Sequence, residues 1–262
     1  SAELITKTAD GTKDGSGTVI GDSSKDYRNS SGYVLDGPEY LTLFDGLTGA
    51  ALDTINFPVP RGTVSSWGDN YGNGVDRFNS GIAYLDGVHP CVVTGRGYYT
   101  RMTATAYKVE NKKLVQMWAF DTGNTSSNAG YGDGNHNSMA ADVDGDGKQE
   151  VLTGATCIDD NGSVKWCTNQ GHGDAMHVGD LDPTNPGIEV YICHEESGSG
   201  YGVSLYDGDQ KKILYHENGA GDTGRCCADN VWAGNDGAEC WGNKTSDGSS
   251  LSAGKGRKEE SK

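Results

Sequence analysis

Met139-Ala140-Ala141-Asp142-Val143-Asp144-Gly145-Asp146-Gly147-Lys148-Gln149-Glu150-Val151-Leu152-Thr153-Gly154 is the stretch whose reading decides the fold. A short small-residue run enters an acidic loop and leaves it as a short apolar run, with no helical period. The phrase returns as His177-Val178-Gly179-Asp180-Leu181-Asp182, leading into Gly187-Ile188-Glu189-Val190-Tyr191. An earlier cousin runs from Ile82 to Gly87 and on into Cys91-Val92-Val93-Thr94-Gly95. A degraded copy begins at Ala228-Asp229 and ends in Gly237-Ala238-Glu239-Cys240-Trp241. Hairpins accompany these phrases. Tyr40–Phe44 turns through Asp45-Gly46-Leu47-Thr48-Gly49 into Ala51–Ile55, and Ala104–Lys108 pairs with Leu114–Trp118. Thr156–Ile158 turns through Asp160-Asn161-Gly162 into Val164–Trp166, and Val203–Tyr206 turns through Asp207-Gly208 into Ile213–Tyr215. Apolar runs this short, bounded by Gly, Asp and Asn, read as strands. Copies follow at about 40 to 55 residues, the spacing of four-stranded propeller blades. One such unit cannot bury both faces, and radial stacking of units solves that. The expectation is an all-β chain, a β-propeller with about four blades present. Residues 33–250 hold the repeats, as a partial β-propeller; residues 1–32 read as a lead-in or partial strand segment, and 251–262 as a polar tail.

Composition narrows the function classes. Acidic residues number 37 and basic residues 21 in 262, a formal charge of -16. Nucleic-acid binding needs clustered Lys and Arg on phosphate, so that class is disfavoured. No apolar run approaches the roughly 18 residues that cross a bilayer, so no membrane partner is expected. The opening SAELITKTADGTKDGSG has neither a basic n-region nor an apolar core, so no signal peptide is expected in it. Seven cysteines lack a C-x-x-C pair, against a zinc ribbon or thioredoxin-type motif. A Cys157–Cys167 bridge requires a hairpin centred on Gly162; free buried thiols are the alternative.

The acidic phrase carries its own chemistry. Asp142, Asp144 and Asp146 stand at alternate positions of a tight turn, and Gly147 permits the bend that aims three carboxylates at one hard cation. An EF-hand puts its last acid at position 12, between helices; here Glu150 comes earlier, between strands. Asp142, Asp144, Asp146, Lys148 and Glu150 therefore read as a structural calcium loop, and Asp180, Asp182 and Glu189, with Asn185, as a variant of it. His136 stands in Gly134-Asn135-His136-Asn137 and His172 in Gly171-His172-Gly173-Asp174, each just ahead of a repeat. Glu195 and Glu196 follow His194 at a strand end. Equivalent positions of successive blades meet near a propeller axis, where two imidazoles and carboxylates can hold a cation; local loop hydrogen bonds are the alternative. Asp76-Arg77-Phe78 and Arg96-Gly97-Tyr98-Tyr99-Thr100-Arg101 combine charge with aromatics that stack on sugars and grip carboxylates, the alternative being hairpin packing and an inter-blade ion pair. Arg225 opens the next unit where His136 and His172 open theirs. There is no G-x-S-x-G, Walker loop or dinucleotide fingerprint.

Read together, GPEYLTLFDGLTGAAL, GNGVDRFNSGIAYLDG, GRGYYTR, GNHNSMAADVDGDGKQE, GHGDAMHVGDLDP, EVYICHE and DTGR resemble the family 11 rhamnogalacturonan lyases, secreted bacterial pectin-degrading enzymes. The resemblance implies an eight-bladed, calcium-rich β-propeller in the extracellular space. It implies eliminative cleavage of the rhamnose–galacturonate bond of rhamnogalacturonan I. It places His136, His172, Asp174 and Glu195 on an active-site Ca²⁺, and Arg225 as the catalytic group at the galacturonate. Arg96 and Tyr98 join Arg225 as expected substrate contacts. Elimination removes a proton alpha to a carboxylate, and a cation with an arginine stabilises the charge that develops. Arginine is a poor base, so charge stabilisation is the role expected of Arg225. Further Lys and Tyr candidates, and the remaining blades, are expected outside this chain. A calcium-dependent carbohydrate-binding propeller without catalysis is the other reading, and a scaffold propeller the third. On either calcium reading, bound cations offset the acidic charge where sugar carboxylates dock.

Overall fold

The computed structural model describes residues 2–195, 200–219, 221–234, 236–244, 248–253 and 257–259. They form five antiparallel sheets that follow one another along the chain. The first is β1 (Leu4–Ala9), β2 (Glu39–Phe44) and β3 (Ala51–Asn56). The second is β4 (Phe78–Ala83), β5 (Cys91–Arg96), β6 (Thr103–Glu110) and β7 (Lys113–Asp121). The third is β8 (Met139–Ala141), β9 (Glu150–Leu152), β10 (Thr156–Ile158) and β11 (Val164–Cys167). The fourth is β12 (Gly173–Gly179), β13 (Glu189–His194), β14 (Tyr201–Asp207) and β15 (Ile213–Asn218). The fifth is β16 (Cys226–Asp229), β17 (Glu239–Lys244), β18 (Gly248–Ala253) and β19 (Arg257–Glu259). A single turn of 3₁₀ helix, Val64–Trp67, is the only helix among the described residues.

The second, third and fourth sheets are packed on both faces, which explains why their middle strands read as unbroken apolar runs. In β13, Val190 and Ile192 join Leu152, Cys157, Trp166 and Met176 against the third sheet. Their neighbours Tyr191 and Cys193 point the other way, to Cys226 and Cys240 of the fifth. Period-two alternation therefore feeds two interfaces at once. The same arrangement fills the gap between the first and second sheets with Leu41, Leu43, Val92 and Tyr107, and the next with Val93, Ala104, Ala106 and Ile158. Fully burying each such large side chain contributes about 1.5–3 kcal/mol. Tryptophans add directed links: the Trp118 indole N–H donates to Asp160 O at 2.8 Å, and that of Trp166 to Gly208 O at 2.7 Å. Each reaches from the last strand of one sheet to a hairpin turn of the next. Gly162 lies beneath the Trp118 ring, where a Cβ would approach to 2.7 Å in a φ of 87°.

The first strands of successive sheets lie side by side, β4 by β8, β8 by β12 and β12 by β16. Antiparallel order then sorts the connections into two rims. One carries the acidic loops, and the other carries the segments that enter β4, β8, β12 and β16. The structure departs from the sequence expectation in extent. Five sheets stand where about four units were expected. The lead-in supplies β1, paired from Leu4 with Phe44 to Ala9 with Glu39. Residues read as a solvated tail contribute β19 and much of β18. The sheets make no closed ring among the described residues. Cys157 lies opposite Trp166 and Cys167 opposite Thr156, so their side chains leave opposite faces of the hairpin. All seven cysteines are free.

Candidate functional site

Segments entering the third and fourth sheets are locked together by backbone hydrogen bonds. His136 N–H donates to Gly173 O at 3.2 Å, and Glu195 N–H to His172 O at 2.9 Å. Asp133, absent from the sequence reading, accepts from the amides of Asn169 and Gly171 at 2.8 and 2.9 Å and so shapes the loop before His172. Its Gly-Asp-Gly setting was the only signal for it. At Gly134 a Cβ would come within 2.4 Å of the Tyr98 Cβ, so only glycine admits the ring there.

These locks bring His136, His172, Asp174 and Glu195 together, with one ligand atom from each inside a 4.8 Å sphere of mutual distances. His136 Nε2 is 3.0 Å from Asp174 Oδ1, and His172 Nε2 is 2.8 Å from Glu195 Oε2 and 3.8 Å from Asp174 Oδ1. His172 is 0% exposed, and its Nδ1 lies 2.8 Å from Gly134 O. That carbonyl can only accept, so Nδ1 carries the hydrogen and Nε2 presents a lone pair to a carboxylate. Burial pushes the His172 pKa down to about 4, so a second proton does not relieve the contact at neutral pH. His172 Nε2 accordingly has no hydrogen-bond partner. Facing lone pairs of this kind call for a cation between them, and two nitrogens with two carboxylates make a divalent-ion donor set. Burial, and secondarily the nearby Arg77 and Arg225 cations, also hold His136 below the usual imidazole range, against the pull of Asp174. Arg225 closes the cluster: its Nη1 donates to Asp174 Oδ2 and, at 2.7 Å, to Gly224 O. Its side chain is 71% exposed, free to meet a ligand.

The whole of residues 1–262 matches the family model described as rhamnogalacturonan lyase family 11, C-terminal domain. The chain belongs to rhamnogalacturonan lyase family 11. It is 49% identical over 242 residues to the rhamnogalacturonan endolyase YesW of Bacillus subtilis, covering 92% of this chain and 39% of that protein. It is 48% identical over 241 residues to the exolyase YesX of the same organism, with the same coverage. The crystal structure of YesX superposes with a TM-score of 0.95 at 46% identity, over 99% of this chain and 44% of that one. The family 11 lyase of Bacillus licheniformis superposes with a TM-score of 0.93 at 49% identity, over 98% and 43%. The chain thus spans about two fifths of the length of these relatives.

Two substrate contacts expected in this family 11 chain prove to be internal. Arg96 is 0% exposed, ion-paired with Glu39 of the first sheet and boxed by the rings of Phe57 and Phe78. Burial alone would raise the pKa of Glu39, but Arg96 and Lys7 outweigh it and hold the carboxyl low. Arg96 therefore joins the first two sheets and cannot reach a ligand. Tyr98 is 3% exposed, with its ring stacked on His172 at 4.9 Å and its hydroxyl 3.1 Å from His136 Nδ1. Burial pushes its phenol pKa up, and its ring and hydroxyl contact the two histidines.

The acidic loops line the opposite rim. Asp142, Asp144 and Asp146 converge as expected, and Asp144 also groups with Glu150 and the unexpected Asp159. Lysines reach into the same cluster: Lys165 Nζ lies 2.8 Å from Asp144, and Lys148 Nζ 2.9 Å from Asp160 and 3.3 Å from Asp146. Glu150 is fully buried and accepts from the Val143 amide at 2.8 Å. Burial raises its pKa to about 7. Asp180, Asp182 and Glu189 are not drawn into one three-ligand group among the described residues. Instead Glu189 accepts from the amides of Leu181 and Asp182 and from Asn185 Nδ2. Glu239 repeats the device on the amides of Val231 and Trp232. A buried glutamate opening the second strand thus caps the acidic loop of three successive sheets.

Proposed function

We propose that this chain carries the cation centre and the substrate arginine of a rhamnogalacturonan lyase, on part of a propeller whose other blades lie outside it. The observation that carries the reading is the His136–His172–Asp174–Glu195 cluster with Arg225 on its open side. We take the ion to be Ca²⁺, as the resemblance implies; when bound, it would supply electrostatic stabilisation to a uronate carboxylate. Arg225 would hold that carboxylate while a general base takes the C5 proton, so that the growing enolate charge meets a fixed guanidinium. Electrons from the C5–H bond form the C4=C5 double bond, and the C4 oxygen departs with the rhamnose–galacturonate linkage broken. Asp174 orients Arg225 through their ion pair, and Tyr98 and the Gly134 carbonyl orient the histidines. Asp142, Asp144, Asp146, Lys148 and Glu150, and more loosely Asp180, Asp182 and Glu189, would bind structural calcium at the far rim. A polymer too large to cross a membrane as substrate places the work outside the cell.

Incubating the purified protein with rhamnogalacturonan and Ca²⁺ tests the reading through the ultraviolet absorbance of the new conjugated double bond. The expected rise disappears with a chelator and in H172A. Saccharide binding by calorimetry with no absorbance rise would instead support a calcium-dependent binding propeller. Saturation by Zn²⁺ or Mn²⁺ but not Ca²⁺ would overturn the assigned ion.

A further inference from the structure

Arg77 occupies the same place in the second sheet that Arg225 occupies in the fifth: the residue immediately before the first strand. Phe78 pairs with Arg96 across β4 and β5, so Phe78 shares the Arg96 face, toward the first sheet. One residue earlier, strand alternation sends Arg77 to the opposite side. There its guanidinium sits 5.9 Å over the Tyr98 ring, the ring that also stacks on His172.

Its bonding state is unlike that of the other arginines whose side chains are described. Arg28, Arg61, Arg96, Arg101 and Arg225 each have a carboxylate within 4.0 Å. Among the described residues, Arg77 has none. Its Nη2 donates to Asn73 Oδ1, and its buried Nε has no partner. Asn73 itself is held in place, because Asp69 gathers the amides of Tyr71, Gly72, Asn73 and Gly74. A guanidinium fixed on a rigid loop with an unused donor is preorganised for a carboxylate. Tyr71 in that loop is 58% exposed and offers an aromatic face of the kind that stacks on sugar rings.

We propose that Arg77 forms a second carboxylate subsite, gripping one uronate of an acidic polysaccharide while Arg225 engages another across the histidine cluster. The proposal rests on the lyase reading above and adds to it the requirement for a substrate charged at more than one sugar.

Calorimetry with two probes tests it: an oligosaccharide of alternating rhamnose and galacturonate, and the same oligosaccharide with its carboxyls reduced to alcohols. In the Ca²⁺-loaded protein, R77Q should bind the acidic probe about ten- to a hundredfold more weakly and the reduced probe as wild type does. R77K, with charge but no fork, should recover part of the loss. Ca²⁺ affinity, measured separately, should not fall in R77Q, because loss of a neighbouring positive charge does not weaken cation binding. Equal acidic-probe binding by R77Q and wild type would overturn the proposal. Equal losses for both probes would overturn it too, by showing that Arg77 acts through Tyr98 packing. If R225Q discriminates the probes and R77Q does not, the lyase reading stands and the Arg77 subsite falls. A wild-type protein that binds neither probe overturns both.

Discussion

Removing one hydroxyl, Tyr98→Phe, should separate the positioning of the histidines from the packing around them. The Phe ring keeps the stack on His172, 4.9 Å between centroids at an interplanar angle of 14°. What disappears is the 3.1 Å hydrogen bond to His136 Nδ1. Without a cation, the hydroxyl can donate to Nδ1 while His136 Nε2–H faces Asp174 Oδ1 at 3.0 Å. With a cation at the cluster, Nε2 must offer its lone pair, so Nδ1–H donates back to the hydroxyl. Tyr98 serves both tautomers, and Phe serves neither. Loss of such an outer partner typically lowers metal affinity about 10–100-fold, or about 1.4–2.7 kcal/mol. Unfolding stability of the cation-free protein should fall by only about 1 kcal/mol, the net value of one hydrogen bond. Calcium titration calorimetry after chelation, paired with urea unfolding, reads both quantities. A Y98F protein with wild-type calcium affinity would refute the positioning role. One as defective as H136A would show that the ring had moved instead.

Acid should destabilise the cation-free protein through its buried imidazoles. Burial lowers both His172 and His194 from 6.5 to about 4, so the unfolded chain takes up protons that the fold refuses. Stability is then greatest above pH 6.5, falls as the pH drops, and levels off below about 4, by about 3 kcal/mol per histidine at 1.36 kcal/mol per unit; flat urea midpoints from pH 7 to 4.5 would refute this. Glu150 has the opposite sign. Its pKa rises from 4.5 to about 7, so the folded state keeps a proton that the unfolded chain releases, and stability declines as pH rises through that window. E150Q should remove this decline, worth about 3 kcal/mol by pH 8 without cations, and equal slopes for the two proteins would count against it. Cys227 is the exposed thiol among seven free ones and Cys167 is half-buried, so a thiol reagent on the native protein should modify Cys227 fastest, Cys167 more slowly and the five buried ones only after unfolding; C227S should abolish the fastest phase.

The sheets were legible because their interfaces write themselves into the sequence. A strand buried on both faces has no polar alternate, which is why Glu189–His194 stood out as a run, and Gly-Asp turns marked the ends. The fifth sheet was harder to see. The stretch that forms β18 and β19, Gly248 to Glu259, is polar, and polar strands imitate a tail. At the site, His136, His172 and Arg225 were recognisable by position, each just ahead of a first strand, a regularity that needs only counting. The burial of Arg96 and Tyr98 was not legible for a different physical reason. Charge next to aromatic residues suggests a sugar surface, yet strand parity decides which face a side chain takes, and parity needs a register. Glu39, the partner that internalises Arg96, is 57 residues away. Lys165 was hidden in the same way, since only the fold carries its ammonium group to Asp144.

All four cation-facing residues lie within a chain that spans 39% of its curated relatives. They come from adjacent sheets, His136 from the third and His172, Asp174 and Glu195 from the fourth, while the second delivers Tyr98 and the segment entering the fifth delivers Arg225. Backbone bonds such as His136 N–H to Gly173 O join those segments directly. Among the described residues, the geometry of the cluster is set by contacts between neighbouring sheets. Cation binding and proton abstraction become separable properties on this view. On the lyase proposal the first would rest on the His136–His172–Asp174–Glu195 cluster, whereas the second would also need a base that takes the C5 proton.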